Sequence, residues 1–213
     1  AEGIDFDDFG GFGHPTVAVL PALLPICEKT GASGRRLIEA FVIGCEVGMA
    51  VHLAAHYNQM TRGFHATSVI GRISGTAACA KILNLTHDQT VTALGIAGSM
   101  AGGVLHNLGS MTKPLHAGMA ARDSVMAVQL ASMGITAGQH ILEHPVGFIN
   151  SVMGEGNYDL KGMVEGLGKP FLIQDALMIK KYPTCGTNHG LLDSLLGLML
   201  EHQFNYQDVE WVE

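Results

Sequence analysis

Two neighbouring helix-length segments are lined with residues too small to hold helices apart. Gly71, Gly75, Ala77, Ala78 and Ala80 fall in the first, and Ala93, Gly95, Ala97 and Gly98 in the second. Helices lined in this way can approach one another closely, which suits a compact α-helical core. Charge points the same way. Asp, Glu, Lys and Arg make up 15% of the chain, against about 25% in an average soluble domain. With 213 residues, one domain, or one and a fraction, can bury its own core. The chain is short of charged skin for that size, so part of its surface is expected to be covered by something else.

Several classes are set aside by pattern. A membrane-spanning helix needs about 20 mostly apolar residues. The run 14–27 is interrupted by Pro15, Pro21 and Pro25, and the run 191–200 is short and carries Asp193. No membrane partner is therefore expected. The first residues are acidic and lack the apolar stretch of a secretory signal. A net charge of −7 argues against a nucleic-acid partner, which asks for a basic face. Cys27, Cys45, Cys79 and Cys185 contain no Cys-x-x-Cys pair, so free thiols in a cytoplasmic protein are expected.

The residue pattern predicts a mainly α fold. Residues 5–15 read as a Gly-rich loop, and Pro15 can open a helix. Ser33 can cap a helix over 34–56, whose apolar positions Leu37, Ile38, Phe41, Val42, Cys45 and Met49 recur at steps of three and four. Residues 67–85 form the next. Thr86 and Gln89 have capping-box spacing and open a helix to about Met100. Lys113-Pro114 places proline at a first helical position, and Gly134 ends that helix. Thr136 and Gln139 repeat the capping-box spacing. Residues 190–202 are a last amphipathic helix. Short strands are expected over 176–180 and 208–212.

Candidate chemistry is sparse. Asp5 and Asp7 open a calcium-like loop, but its fifth position is Phe9 and no Glu closes it. His140, Glu143 and His144 match an inverted zinc-protease pattern, but Pro145 biases His144 away from helical geometry. Gly102-Gly103 and Gly154-Glu155-Gly156 complete neither a dinucleotide fingerprint nor a P-loop. No metal site is expected. Lys113 stands at a helix start, where free N–H groups and the helix dipole favour anions. His65 stands at a loop-to-helix junction, and Lys180 at the end of a strand. By residue type, Asp5, His14, His65, Lys113 and Lys180 are the candidate acid, base and anion-binding groups.

Six segments, taken in order, resemble the MmgE/PrpD family, the 2-methylcitrate dehydratase superfamily. They are Ile4-Asp5-Phe6-Asp7-Asp8, His14-Pro15, Gly63-Phe64-His65-Ala66-Thr67-Ser68, Ala93-Leu94-Gly95-Ile96-Ala97-Gly98-Ser99, Asn107-Leu108-Gly109-Ser110-Met111-Thr112-Lys113-Pro114-Leu115-His116-Ala117-Gly118, and Lys180-Lys181-Tyr182-Pro183-Thr184-Cys185 with His189. The resemblance implies a large all-α domain and a smaller α+β lid, with the active site between them. Residues 1–172 would belong to the helical domain and 173–213 would begin the lid. Family members are considerably longer, so the chain would correspond to a central portion. The resemblance also implies a homodimer that needs no metal or organic cofactor.

Members include 2-methylcitrate dehydratase, cis-aconitate decarboxylase and iminodisuccinate epimerase. At matched positions the resemblance implies Asp5, His14, His65, Lys113 and Lys180 as site residues. Two departures stand out. The loop between Asp8 and His14 is a residue shorter than in cis-aconitate decarboxylases, with Phe9 where those carry Thr. Ala66 stands where Pro is commoner. The expected function is a cofactor-independent lyase, a dehydratase or decarboxylase, acting on a small di- or tricarboxylate such as 2-methylcitrate or cis-aconitate. His65 and His14 would move protons, and Asp5 would orient a histidine. Lys113, Lys180 and a protonated histidine would hold carboxylates. An epimerase using the same groups as two bases, and a non-catalytic binding or assembly fragment, are the alternatives.

Overall fold

The computed structural model describes residues 6–10, 13–56 and 58–211. It is mainly helical. Helix α1 (Pro15–Thr30) starts on His14 and ends at Gly31, whose φ of 64° lies in the left-handed region that glycine adopts freely. Pro21 and Pro25 lie inside α1, so these prolines do not break the helix. Helix α2 (Gly34–Ala54) is capped by Ser33, whose side chain accepts the Arg36 N–H. Helix α3 (Asn58–Thr61) is a single turn, α4 spans Ala66–Leu83, and α5 spans His87–Met100. The Thr86–Gln89 capping box forms in full at the start of α5.

Helix α6 (Thr112–Ser132) begins two residues before Pro114, so Pro114 is its third residue rather than its first. Nothing is lost there, because the first N–H groups of a helix have no partner in any case. Gly134, with φ 89°, follows its end as expected. The short helices α7 (Phe148–Met153), α8 (Leu160–Val164) and α9 (Ile173–Ala176) precede α10 (His189–His202). The loop expected over 5–15 contains strand β1 (Asp7–Asp8). It pairs antiparallel with β2 (Met178–Ile179), with Asp7 opposite Ile179.

Two expected elements are absent. Between Thr136 and Gly147 the chain forms turns instead of a helix. This segment wraps over the glycine face of α5, where a Cβ on Gly95 would stand 2.7 Å from that of Ala137. Tertiary packing overrides the local capping signal. The strand expected over 208–212 is replaced by a 3-10 turn (Tyr206–Asp208), closed by a capping box between Asn205 and Asp208. Residue 212 lies outside the described residues.

Helix α4 is the axis of the core. It packs on α1, α2, α5 and α6, and only Lys81 and Leu83 along it escape burial. The small residues make this possible. A Cβ on Gly44 of α2 would lie 2.7 Å from that of Ala78 and 2.9 Å from the Ser74 carbonyl, so α2 and α4 meet almost backbone to backbone. Among the described residues α2 alone is long and apolar enough to cross a membrane, a feature the sequence pattern had not singled out, and 56% of that stretch is buried within the fold. Buried Glu46 on α2 accepts the Gly168 and Leu172 N–H groups at 2.8 and 2.7 Å. It thereby pins the loop that leads through α9 to β2 and Lys180.

Candidate active site

Three helix N-termini carry the candidate groups. His14 is the N-cap residue of α1, His65 is that of α4, and Lys113 lies in the first turn of α6. The His14 N–H donates to Thr67 Oγ1 at 3.2 Å, which ties the start of α1 to the first turn of α4. Neither histidine caps its helix with its own side chain. At α1 that task falls to Asp7, a residue not among the expected candidates. Its Oδ2 accepts the Thr16 N–H at 3.1 Å and the Thr16 hydroxyl. A carboxylate at a helix start is favoured by the exposed N–H groups and the dipole. Asp7 is fully buried and its Oδ1 has no hydrogen-bond partner. Burial raises its pKa, against the lowering effect of Thr16.

With its side chain released from capping, His14 donates from Nδ1 to the Asp7 carbonyl at 2.7 Å. A carbonyl only accepts, so the proton sits on Nδ1, and Nε2 is left for chemistry. His65 approaches His116 of α6, Nδ1 to Nδ1, at 3.2 Å. Both candidate histidines are buried. Burial lowers the His65 pKa to about 4, reinforced by His116, Lys113 and His14. Burial also lowers that of His14, with Lys180 and Lys113 adding to the effect. Both shifts favour the neutral ring in the free protein. A protonated histidine as carboxylate anchor is thus disfavoured there, which leaves Lys113 and Lys180 as the cations at hand.

Lys180 is placed by strand pairing. Its N–H donates to the Phe6 carbonyl beside β1, and its Nζ to the Thr184 carbonyl, both at 3.0 Å. Lys113 and Lys180 both act on His14, and Lys113 also acts on His65. Four of the five expected residues thus share one electrostatic neighbourhood. Asp5, the fifth, lies outside the described residues. Phe9, the departure next to this loop, is a fully buried core residue.

Residue-type reasoning also passed over Cys185 and Arg72. The exposed Cys185 thiol has its pKa lowered by a hydrogen bond with Thr187, and by Lys113 and Lys180. Buried Arg72 pairs with Asp123 at 2.7 Å. Both charged residues sit on helices of mostly small residues, which is the signal that could have found them. His116 follows Lys113 by one helical turn and could have been found by that spacing.

A cavity of about 480 Å³ opens beside the histidine pair, lined by Arg72, Asn107, Thr112, His116, Arg122 and Asp123 among others. His116 belongs to its lining, whereas His14, His65, Lys113 and Lys180 do not. Among the described residues no group of three or more His, Cys, Asp or Glu side chains is placed to hold a metal ion. The zinc-like run is engaged locally: His140 Nδ1 meets Glu143 Oε1 at 2.7 Å, and His144 Nδ1 accepts the Val146 N–H at 3.2 Å.

Residues 1–161 match the model of the MmgE/PrpD N-terminal domain. The chain is 34% identical to a cis-aconitate decarboxylase of Homo sapiens, over 90% of its own length and 40% of the relative's. It is 32% identical to one of Mus musculus, with the same coverage. It is 31% identical to one of Aspergillus terreus, over 87% of its own length and 40% of the relative's. The chain thus spans about 40% of the length of the curated relatives it matches.

Proposed function

This chain belongs to the MmgE/PrpD family, and on that premise we propose that it carries the proton-transfer and anion-binding residues of a lyase acting on a small di- or tricarboxylate. Decarboxylation of a cis-aconitate-like substrate is the first choice, because the similar curated proteins include cis-aconitate decarboxylases. The observation that carries the reading is the meeting of His14, His65, Lys113 and Lys180 where α1, α4 and α6 begin.

Each group has a task that its surroundings suit. A substrate with several carboxylates needs cations. Lys113 and Lys180 supply two, and the helix starts add positive potential. Loss of carbon dioxide leaves an electron pair on carbon that must take up a proton. A neutral imidazole has one N–H to give and one bare nitrogen to accept. An incoming anion offsets the lysines and shifts His65 back towards ordinary histidine behaviour, where it exchanges protons near neutral pH. Asp5 would orient a histidine of the site. Residues from about 173 onward would begin a lid over it. The exposed Leu191, Leu196, Leu198 and Leu200 of α10 support the expectation that further polypeptide covers this region.

The test is His65→Ala or Lys113→Ala in the whole protein, with carbon dioxide release from cis-aconitate and water loss from 2-methylcitrate followed in parallel. A loss of about 100-fold or more in one of these reactions is expected. Near-normal turnover of every polycarboxylate accepted by the parent would sink the assignment.

A further inference from the structure

His65, the N-cap residue of α4, meets His116, one turn into α6. Their rings are 5.3 Å apart between centroids and tilted by 43°, with the two Nδ1 atoms at 3.2 Å. That geometry accommodates one proton between the rings. One Nδ1 carries it and the other accepts it. The Nε2 atoms have no hydrogen-bond partner among the described residues, yet neither is sealed from solvent. The two ends of the pair face different surroundings. Lys113 and His14 act on His65, whereas His116 lines the cavity of about 480 Å³.

We propose that His116 is a proton-relay partner of His65, passing protons between the candidate site and this cavity. The proposal rests on the reading of His65 as a proton-transfer residue. In the delivering direction, His65 Nε2–H gives its proton to the substrate carbon. In the same step His116 Nδ1–H moves its proton to His65 Nδ1 and His116 Nε2 takes one from water in the cavity, so neither ring becomes an anion and the hydroxide left behind balances the carbon dioxide released. One proton leaves at His65 and one enters at His116. Tautomer exchange of both rings through water restores the start.

The surroundings favour conduction over storage. Lys113 and His14 face His65, and Arg72 faces His116. Both oxygens of Asp123 are engaged by Arg72 and Arg122. The groups acting on the pair disfavour a positive charge resting there, so a proton entering at one end is driven out at the other.

Ring titration by ¹⁵N-histidine NMR on this chain reads the pair without substrate. His116→Asn keeps a hydrogen-bonding group near the Nδ1 position but cannot carry a proton through. It is expected to raise the His65 titration by about one pH unit, as two coupled steps collapse into one. In the whole protein the same variant should lower kcat about tenfold or more with KM little changed. Added imidazole should restore part of the activity of His116→Gly. A His65 titration unmoved by His116→Asn overturns the shared proton. Full turnover in His116→Asn, with turnover lost in His65→Ala, overturns the relay and leaves the reading of His65 standing. Full turnover in both variants overturns the relay together with that reading.

Discussion

Replacing Asp123 with alanine removes the counter-charge with which Arg72 is paired in the core. The two side chains meet at 2.7 Å with 3% and 2% exposure. Arg72 also donates from Nη1 to the Ser68 carbonyl, the Ser68 hydroxyl and the Gly102 carbonyl at 2.8–2.9 Å. Those neutral partners remain in the variant, but the guanidinium charge is left buried and uncompensated. Breaking such a pair from one side costs about 3–5 kcal/mol. Arg122 is the internal control. It also reaches Asp123, at 2.6 Å, but is 62% exposed, and an exposed pair contributes only about 0.2–1 kcal/mol.

The assay is urea unfolding followed by far-UV circular dichroism. At a slope of about 2 kcal/mol per M urea, Asp123→Ala should lower the midpoint by about 1.5–2.5 M. Arg122→Ala should lower it by no more than about 0.5 M. Replacing Arg72 and Asp123 together with apolar residues of similar volume should recover most of the loss, because no buried charge is then unpaired. A midpoint for Asp123→Ala within about 0.5 M of the parent at unchanged slope would refute the reasoning, as would equal losses for Asp123→Ala and Arg122→Ala.

Other parts of the structure give equally direct tests. Two glycine substitutions should have opposite signs in thermal melts. Gly44→Ala drives a methyl into Ala78 and the Ser74 carbonyl and should cost about 1–3 kcal/mol, while Gly118→Ala meets nothing within 4 Å and should gain about 0.5–1 kcal/mol. Alkylation by iodoacetamide near neutral pH should reach the exposed Cys185 first. Buried Cys45 and Cys79 should react only on unfolding, since burial raises both thiols, that of Cys79 to about 12. Stability should fall as pH drops from 6.5 towards about 4: burial depresses the His65 pKa, so the unfolded chain binds the proton more readily across that window. His14, His52 and His116 are shifted in the same direction, and the raised Asp7 pKa opposes them. A Tm against pH curve with a shallower slope in His65→Gln would bear this out, and an unchanged slope would not.

Most of the helices were legible because their signals are local. Ser33, Thr86 and Gly134 mark helix ends through bonds to neighbours a few residues away, and those bonds form as the pattern predicts. The same kind of signal failed at Thr136, where the chain packs onto the glycine face of α5. The strand pair was half legible: residues 176–180 read as a strand, but its partner looked like loop. In the candidate site, His14, His65, Lys113 and Lys180 were found through residue type and family resemblance. Asp7, His116 and the Arg72–Asp123 pair were not: His116 and Arg72 each meet a partner 51 residues away, and Asp7 acquires its part from the way its strand folds back on the start of α1.

The amino-acid sequence by itself thus determined the mainly α character, most helix ends and the family, since periodicity, capping and short motifs are written in consecutive residues. It also foretold close packing, through small residues that have no other use in such number. Only the tertiary structure decided that α4 is the axis, that three helix starts converge on one place, and that His65 has a histidine beside it. It also decided the direction in which the site histidines are shifted, towards the neutral ring. Burial and distant charges set their protonation, and neither exists until the helices have packed.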